Sequence, residues 1–353
     1  MVDGLKTHSL TLLQRLIATP SFSREEQQTA AIIEGFLKEQ GVVTKRKQNN
    51  IWAYNQHFDP SKPTILLNSH HDTVKPNPGY TRDPFSPDIE DGKLFGLGSN
   101  DAGGCLVSLI ACFLFFYRRT DLKYNLCLAA TAEEEVSGTN GLELIIPQLG
   151  PLEFAIVGEP TLLDLAIAER GLMVLDCIAH GKAGHAAREE GENAIYNALK
   201  DIEWFRTYKF PKESELFGPL KMSVTVINAG SQHNVVPARC EFTVDVRVTD
   251  GYQNEEVLDI IREHVTCEVK ARSTRLKPSS IDKKHPIVVQ GIAMGKKTYG
   301  SPTTSDQAML SIPSLKVGPG DSARSHSADE FIFVKEVEQG IEFYIQLLEG
   351  VIL

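Results

Sequence analysis

Thr64-Ile-Leu-Leu-Asn-Ser-His-His-Asp72 decides how this chain folds: an apolar run ends abruptly in two imidazoles and a carboxylate. The same construction recurs three times. Asn125-Leu-Cys-Leu-Ala-Ala-Thr131 runs into Glu133-Glu134-Glu135, Phe154-Ala-Ile-Val-Gly158 into Glu159, and Leu315-Lys-Val-Gly318 into a loop carrying His326. Short apolar runs bounded by turn residues read as buried strands. Between residues 63 and 160 they alternate with helix-like segments, the pattern of an α/β sheet. Ligands of an open α/β sheet bind beyond the carboxyl ends of its strands, so the four ends predict one shared site. A Gly-rich loop, Gly96-Leu-Gly-Ser-Asn-Asp101, adds a further carboxylate. It fits neither nucleotide-binding pattern, because residue 101 is Asp where the dinucleotide motif needs Gly and no Gly-Lys-Ser/Thr follows.

Outward from this core the chain reads in blocks. Leu10, Leu13, Leu16 and Ile17 share one helical face, and Pro20 stops the run. Ser23 with Glu26 three residues on has the form of a capping box, opening a helix through Ala30, Ile33, Phe36 and Leu37 to Gly41. Asp101 is placed just before a helix over 105–117, whose amino end favours a carboxylate. After about residue 166 the pattern changes. Strands at 172–179, 222–228, 241–248 and 269–273 and helices at 193–205 and 255–264 follow in the order β-α-β-β-α-β, the ferredoxin-like arrangement. Beyond Pro286 come a helix near 287–297, a strand near 315 and a last helix at 335–348. The expected fold class is α/β. Residues 1–165 and 285–353 form a catalytic domain with a mixed sheet flanked by helices. Residues 166–284 form an inserted α+β domain.

Bulk properties narrow the function. With 36 Lys and Arg against 46 Asp and Glu, the net charge is −10, which disfavours nucleic acid or an anionic membrane surface as partner. The amino terminus has no signal-peptide hydrophobic region, and the longest apolar stretch, 105–117, is too short to span a bilayer. The six cysteines lie in apolar runs or near helix ends without any Cys-x-x-Cys, as expected of reduced, buried thiols in a cytoplasmic protein.

Imidazoles with carboxylates suit a metal such as zinc. His70 and Asp72 are two apart, so in extended chain they face the same side. His70 is then free to bind a metal with one ring nitrogen and give the other to Asp72, a relay that fixes the tautomer. Taken alone, a His-x-Asp pair is more often a surface or capping pair, and an acidic triplet more often a solvated turn. Glu159 is different in kind, since a carboxylate at the end of a buried strand is unfavourable unless paired or metal-bound.

As an ordered set, Ser-His-His-Asp-Thr-Val (69–74), Gly-Leu-Gly-Ser-Asn-Asp (96–101), Thr-Ala-Glu-Glu-Glu-Val (131–136), Val-Gly-Glu-Pro-Thr (157–161) and Ser-His-Ser-Ala-Asp-Glu-Phe (325–331) resemble the di-zinc amidohydrolases. That family includes acetylornithine deacetylase, succinyl-diaminopimelate desuccinylase, aminoacylase and carboxypeptidase G. The resemblance implies two Zn²⁺ per chain, with Co²⁺ or Mn²⁺ as substitutes. His70 and Glu159 would hold one ion, Glu135 and His326 the other, and Asp101 would bridge. Asp72 would orient His70, and Glu134 would be the general base of an amide hydrolysis by metal-activated hydroxide. In the inserted domain it implies His185, in Gly-Lys-Ala-Gly-His-Ala-Ala, as oxyanion stabiliser, and Asn234 and Arg247 as substrate contacts. It also implies a homodimer through that domain.

Some positions depart from the family pattern. Leu97 stands where many relatives have Arg, Ala102-Gly103 replace the usual Met-Lys, and the Pro and Gly spacing after His185 differs. The metal-ligand positions are unaffected. Because Glu169-Arg-Gly-Leu-Met-Val-Leu-Asp176 is similar to the acetylornithine deacetylase branch, the expected substrate is a small N-acyl amino acid, N-acetylornithine or N-succinylornithine, in arginine synthesis. Succinyl-diaminopimelate or a lysine-pathway substrate, a dipeptide, and a non-catalytic binding protein on the same fold are the alternatives.

Overall fold

The structure is a computed structural model and describes residues 2–353. The chain divides into two compact units. One comprises Met1–Ile167, Ser280–Tyr299 and Ser305–Leu353; the other comprises Ala168–Ser279 and Gly300–Thr304.

The first unit is organised by one sheet. Its strands lie in the order Thr44–Lys47, Asn50–Tyr54, Asn125–Thr131, Thr64–His70, Phe154–Val157, Ser314–Lys316 and Leu165–Glu169. The four from Asn125–Thr131 to Ser314–Lys316 are mutually parallel, and antiparallel strands flank them. Every residue of 64–70 and of 125–131 is buried, as required when both faces of a parallel sheet are covered. Leu142, Ile145, Leu149 and Leu310 pack on the face presented by Trp52, Leu66, Cys127, Ala129, Ala155 and Val157. Three helices, Val2–Ile17, Gly104–Phe116 and Val334–Ile352, pack against one another. The middle one is buried almost all round. The 18-residue window Ser99–Phe116, with mean hydropathy 1.5, is apolar enough to cross a membrane, but 83% of it is buried inside the protein. It is a core helix.

Register sets up the site. His70 pairs with Thr131 and Asn68 with Val157. The 64–70, 125–131 and 154–157 strands therefore deliver His70, the Glu133–Glu135 turn and Glu159 at one sheet edge.

The second unit carries a four-stranded antiparallel sheet in the order Lys221–Ala229, Arg239–Val248, Gly171–His180, Glu268–Ala271. Helices Ala194–Thr207 and Asn254–His264 cover one face. Ala198, Phe205, Val257 and Ile261 meet Met173, Leu175, Phe242, Val244 and Val246 there. All six cysteines are buried and free.

One local expectation is corrected. The helix after Ser23 spans Gln27–Glu39 and has Glu26 as its N-cap, without any side-chain cap bond. Ser23 and Glu26 form no capping box. Ser23 bonds to Asp72, and Glu26 to Asn49 and Glu133 as well as to the nearby Arg24 N–H, so tertiary partners take most of the capacity that a capping box would use.

Gly318 follows the Ser314–Lys316 strand, where a Cβ would meet Cys105 Sγ at 2.6 Å, Glu159 O at 2.7 Å and Tyr344 Oη at 2.8 Å. Gly318→Ala is therefore expected to destabilise the protein by about 1–3 kcal/mol through overpacking. Urea unfolding measures this, and an unchanged midpoint would show that the close approach is absent.

Candidate metal centre

His70 closes its strand and is almost wholly buried. Its Nδ1 lies 3.1 Å from the Asp72 carbonyl oxygen and 3.4 Å from that residue's carboxylate. Its Nε2 is buried without a hydrogen-bond partner. That nitrogen faces three carboxylates: Asp101 at 3.4 Å, Glu159 at 3.7 Å and Glu134 at 3.9 Å. His71 turns away, to Thr29 Oγ1 at 3.0 Å and the Asn49 carbonyl at 2.8 Å. Burial lowers its pKa to about 4, so the ring is neutral at pH 7.

Asp101 lies in the Gly-rich loop, and the Asp101–Ala102 peptide is cis. Its second carboxylate oxygen is 3.7 Å from His326 Nε2, and His326 in turn touches Glu135 at 2.9 Å. Two clusters therefore exist: His70, Asp101 and Glu159, and Asp101, Glu135 and His326. Within each, one ligand atom per residue lies within 4.8 Å of the others. Asp101 belongs to both.

The acidic triplet is a turn, not a solvated run. Glu133 adopts left-handed backbone (φ 57°) and is buried. Its carboxylate accepts from Asn140 Nδ2 at 3.0 Å. The Asp72 carboxylate accepts the N–H of Glu134 at 3.1 Å and of Glu135 at 3.2 Å.

The electrostatics follow from crowding. Burial raises the pKa of Glu134 well above the usual range, and the charges of Glu159, Asp306 and Glu135 add to it while His70 opposes. Burial likewise raises Glu159 to about 8 and raises Glu135. His326 is raised to about 9, chiefly by its bond to Glu135. Asp101 goes the other way: burial pushes it up, but His70, Ser325 and His326 bring it below its ordinary value. Two imidazoles do not balance so many carboxylates. A cation between His70 Nε2 and the carboxylates would supply the partner that nitrogen lacks and the missing positive charge. A nitrogen and oxygen donor set of this kind suits zinc.

Two further carboxylates have no role in the sequence reading. Glu330 is buried and accepts three backbone N–H groups, from Asn100 at 2.8 Å, Asp101 at 3.0 Å and Gly98 at 3.1 Å. It holds the loop that presents Asp101. Burial and the Asp101 charge raise it to about 8. Asp306 is buried and accepts from Thr131 Oγ1 at 2.7 Å; burial raises it to about 6. Only Glu330 left a signal in the sequence, as a charge immediately before the apolar Phe331-Ile-Phe333.

His185, Asn234 and Arg247 lie in the second unit. His185 is exposed and pairs with Val235 in a two-stranded ribbon, and the Ala186 N–H donates to the Asn234 carbonyl at 2.9 Å. Arg247 forms a fork to Asp245 at 2.8 and 3.1 Å. The ribbon sits beyond the Arg239 end of the Arg239–Val248 strand, since the Gly181 N–H donates to the Ala238 carbonyl. Arg247 is at the other end. At 3.4 Å per residue the intervening strand is roughly 27 Å long, so the unit brings His185 and Asn234 together but not Arg247.

Comparison with known proteins places this architecture. Acetylornithine deacetylase of Proteus mirabilis (strain HI4320) is 29% identical, covering 97% of this chain and 96% of that protein. A [LysW]-lysine/[LysW]-ornithine hydrolase of Sulfurisphaera tokodaii is 28% identical over 97% of this chain and 95% of its own length. The fold matches the Bacillus subtilis YXEP protein, a dinuclear metal binding peptidase, with TM-score 0.72 and 15% identity over 98% of each chain. Residues 66–350 match the peptidase family M20/M25/M40. The chain belongs to that family and is a metal-dependent amidohydrolase.

Proposed function

We propose that this protein hydrolyses the amide bond of a small N-acyl amino acid, an N-acetyl- or N-succinylornithine, with zinc as its metal and in the cytoplasm. The observation that carries this reading is the pair of ligand clusters meeting at Asp101, with Glu134 beside them and outside both. In this reading His70 and Glu159 hold one ion and Glu135 and His326 the other. Asp101 touches both, and Asp72 orients His70. The full-length likeness to an acetylornithine deacetylase supports the acyl amino acid.

Bound metal would supply Lewis acidity, bringing the pKa of a water toward neutrality and polarising the scissile carbonyl. The chain's residues do the rest. Glu134 takes the proton of the attacking water and gives it to the leaving nitrogen as the C–N bond breaks. The products are a carboxylate and a free amine. Burial and the neighbouring carboxylates raise the Glu134 pKa; bound cations would draw it back down, toward the operating pH where a general base is most effective.

Substrate contacts need a second copy. His185 and Arg247 of one chain are too far apart to grip one small molecule, so one of the two ends would serve the partner's site in a homodimer. The edge strand Lys221–Ala229 has a partner on one side only and exposes Val226 and Ile227; the neighbouring helix exposes Tyr196 and Leu199. An unpaired apolar edge of this kind invites pairing with another chain.

Three outcomes are expected. Glu134→Gln keeps its metal but loses turnover by about 10²–10⁴-fold; a rate near wild type would remove Glu134 as the base. Asp101→Asn lowers metal content at both positions, while His326→Ala lowers it at one, as counted by plasma mass spectrometry. Equal losses from the two variants would contradict the shared position of Asp101. In a rate comparison of N-acetylornithine, N-succinylornithine, N-acetylcitrulline and N-succinyl-diaminopimelate, an acylornithine is turned over fastest. A metal-loaded protein that hydrolyses none of them would overturn the proposed activity.

A further inference from the structure

Ser23-Arg-Glu-Glu26 has the letters of a helix cap, yet neither side chain caps the helix that follows. Both instead reach under the acidic turn. Ser23 Oγ donates to Asp72 Oδ2 at 2.7 Å. Glu26 is fully buried. One of its oxygens accepts the N–H groups of Arg24 and, at 3.3 Å, of Glu133. The other accepts from Asn49 Nδ2 at 2.7 Å. The segment is itself fixed to the 64–70 strand's exit, because Phe22 pairs with Thr73, the Ser23 N–H donates to the Thr73 carbonyl and the Thr73 N–H to the Ser21 carbonyl.

Three successive N–H groups, those of Glu133, Glu134 and Glu135, thus each end on a carboxylate: Glu26 for the first, Asp72 for the other two. Ser23 holds Asp72 in turn. Residues Arg24 and Glu133 both sit in left-handed backbone, at φ 79° and 57°, a conformation that persists in non-glycine residues only where the surroundings impose it. Here the shared acceptor, Glu26, does so from both sides. Gly138 completes the arrangement, since a Cβ there would lie 1.9 Å from the Glu133 carboxylate.

We propose that Ser23 and Glu26 are positioning residues for the Glu133–Glu135 turn, acting through Asp72 and the Glu133 amide to aim Glu134 and Glu135. This rests on the roles assigned above to Glu134 and Glu135. Neither Ser23 nor Glu26 is required to touch substrate or metal. Removing either loosens the turn without altering the surfaces that bind substrate, so the rate constant falls and KM does not.

The test uses the full-length, metal-loaded protein and the variants Ser23→Ala, Glu26→Gln and Ser23→Thr, with kcat, KM, release of metal to a chelator and thermal midpoint measured for each. Ser23→Ala and Glu26→Gln are expected to lose about 10–100-fold in kcat and to release metal about tenfold faster, the usual effect of losing a partner behind a metal ligand. KM stays within about twofold, as for loss of an interaction felt mainly in the transition state. Ser23→Thr, which keeps the hydroxyl, recovers most of both. Wild-type kcat and metal release in Ser23→Ala would overturn the proposal, as would losses that follow the thermal midpoint and are not recovered by threonine. If the wild type binds metal but cleaves no acyl amino acid, the assigned activity fails, while metal release still decides whether the brace exists.

Discussion

Buried carboxylates repel one another, and the catalytic unit is arranged around that fact. Asp101, Glu134, Glu135 and Glu159 share a cleft with two imidazoles, and three of those four carboxyls are pushed upward by burial and mutual charge. Such a cluster is stable only if positive charge is added or protons are retained. A pair of divalent cations would do the first. The orphaned His70 Nε2 and the double membership of Asp101 show where the charge would sit. The same crowding raises the pKa of Glu134, which lies beside both clusters.

Holding such a cluster requires a scaffold whose own polar groups are satisfied. The parallel strands supply it by register, and three further carboxylates make the turns rigid by accepting backbone N–H groups. Asp72 takes two from the acidic turn, Glu26 takes one from it, and Glu330 takes three from the Gly-rich loop. None of these three lies in either ligand cluster. Charge-assisted bonds of this kind are stronger than neutral ones, and they fix loop backbone that no regular element reaches.

What the sequence revealed follows from how local each signal is. His70 and Glu159 were legible because an apolar strand ending in a polar residue is a pattern contained within eight residues. The core helix, expected over 105–117 and found over Gly104–Phe116, was legible as an unbroken apolar stretch, and the β-α-β-β-α-β order from the succession of strand-like and helix-like runs. Asp306, the loop-holding bonds of Glu330 and the true partners of Ser23 and Glu26 were not. Most of these hydrogen bonds join residues from 23 to 232 positions apart, and no local pattern encodes them. Ser23 and Glu26 even suggested the wrong partner, since the letters of a cap are also those of a polar brace. The separation of Arg247 from His185 was likewise invisible until strand register fixed which end of the sheet each occupies.

The claim on which the rest stands is that the cluster at Asp101 is built for two cations. Anomalous diffraction at the zinc edge from zinc-soaked crystals tests it most directly. Two peaks are predicted, both in contact with Asp101, one also beside His70 and Glu159 and the other beside Glu135 and His326. A single peak, or zinc bound away from Asp101, would contradict it.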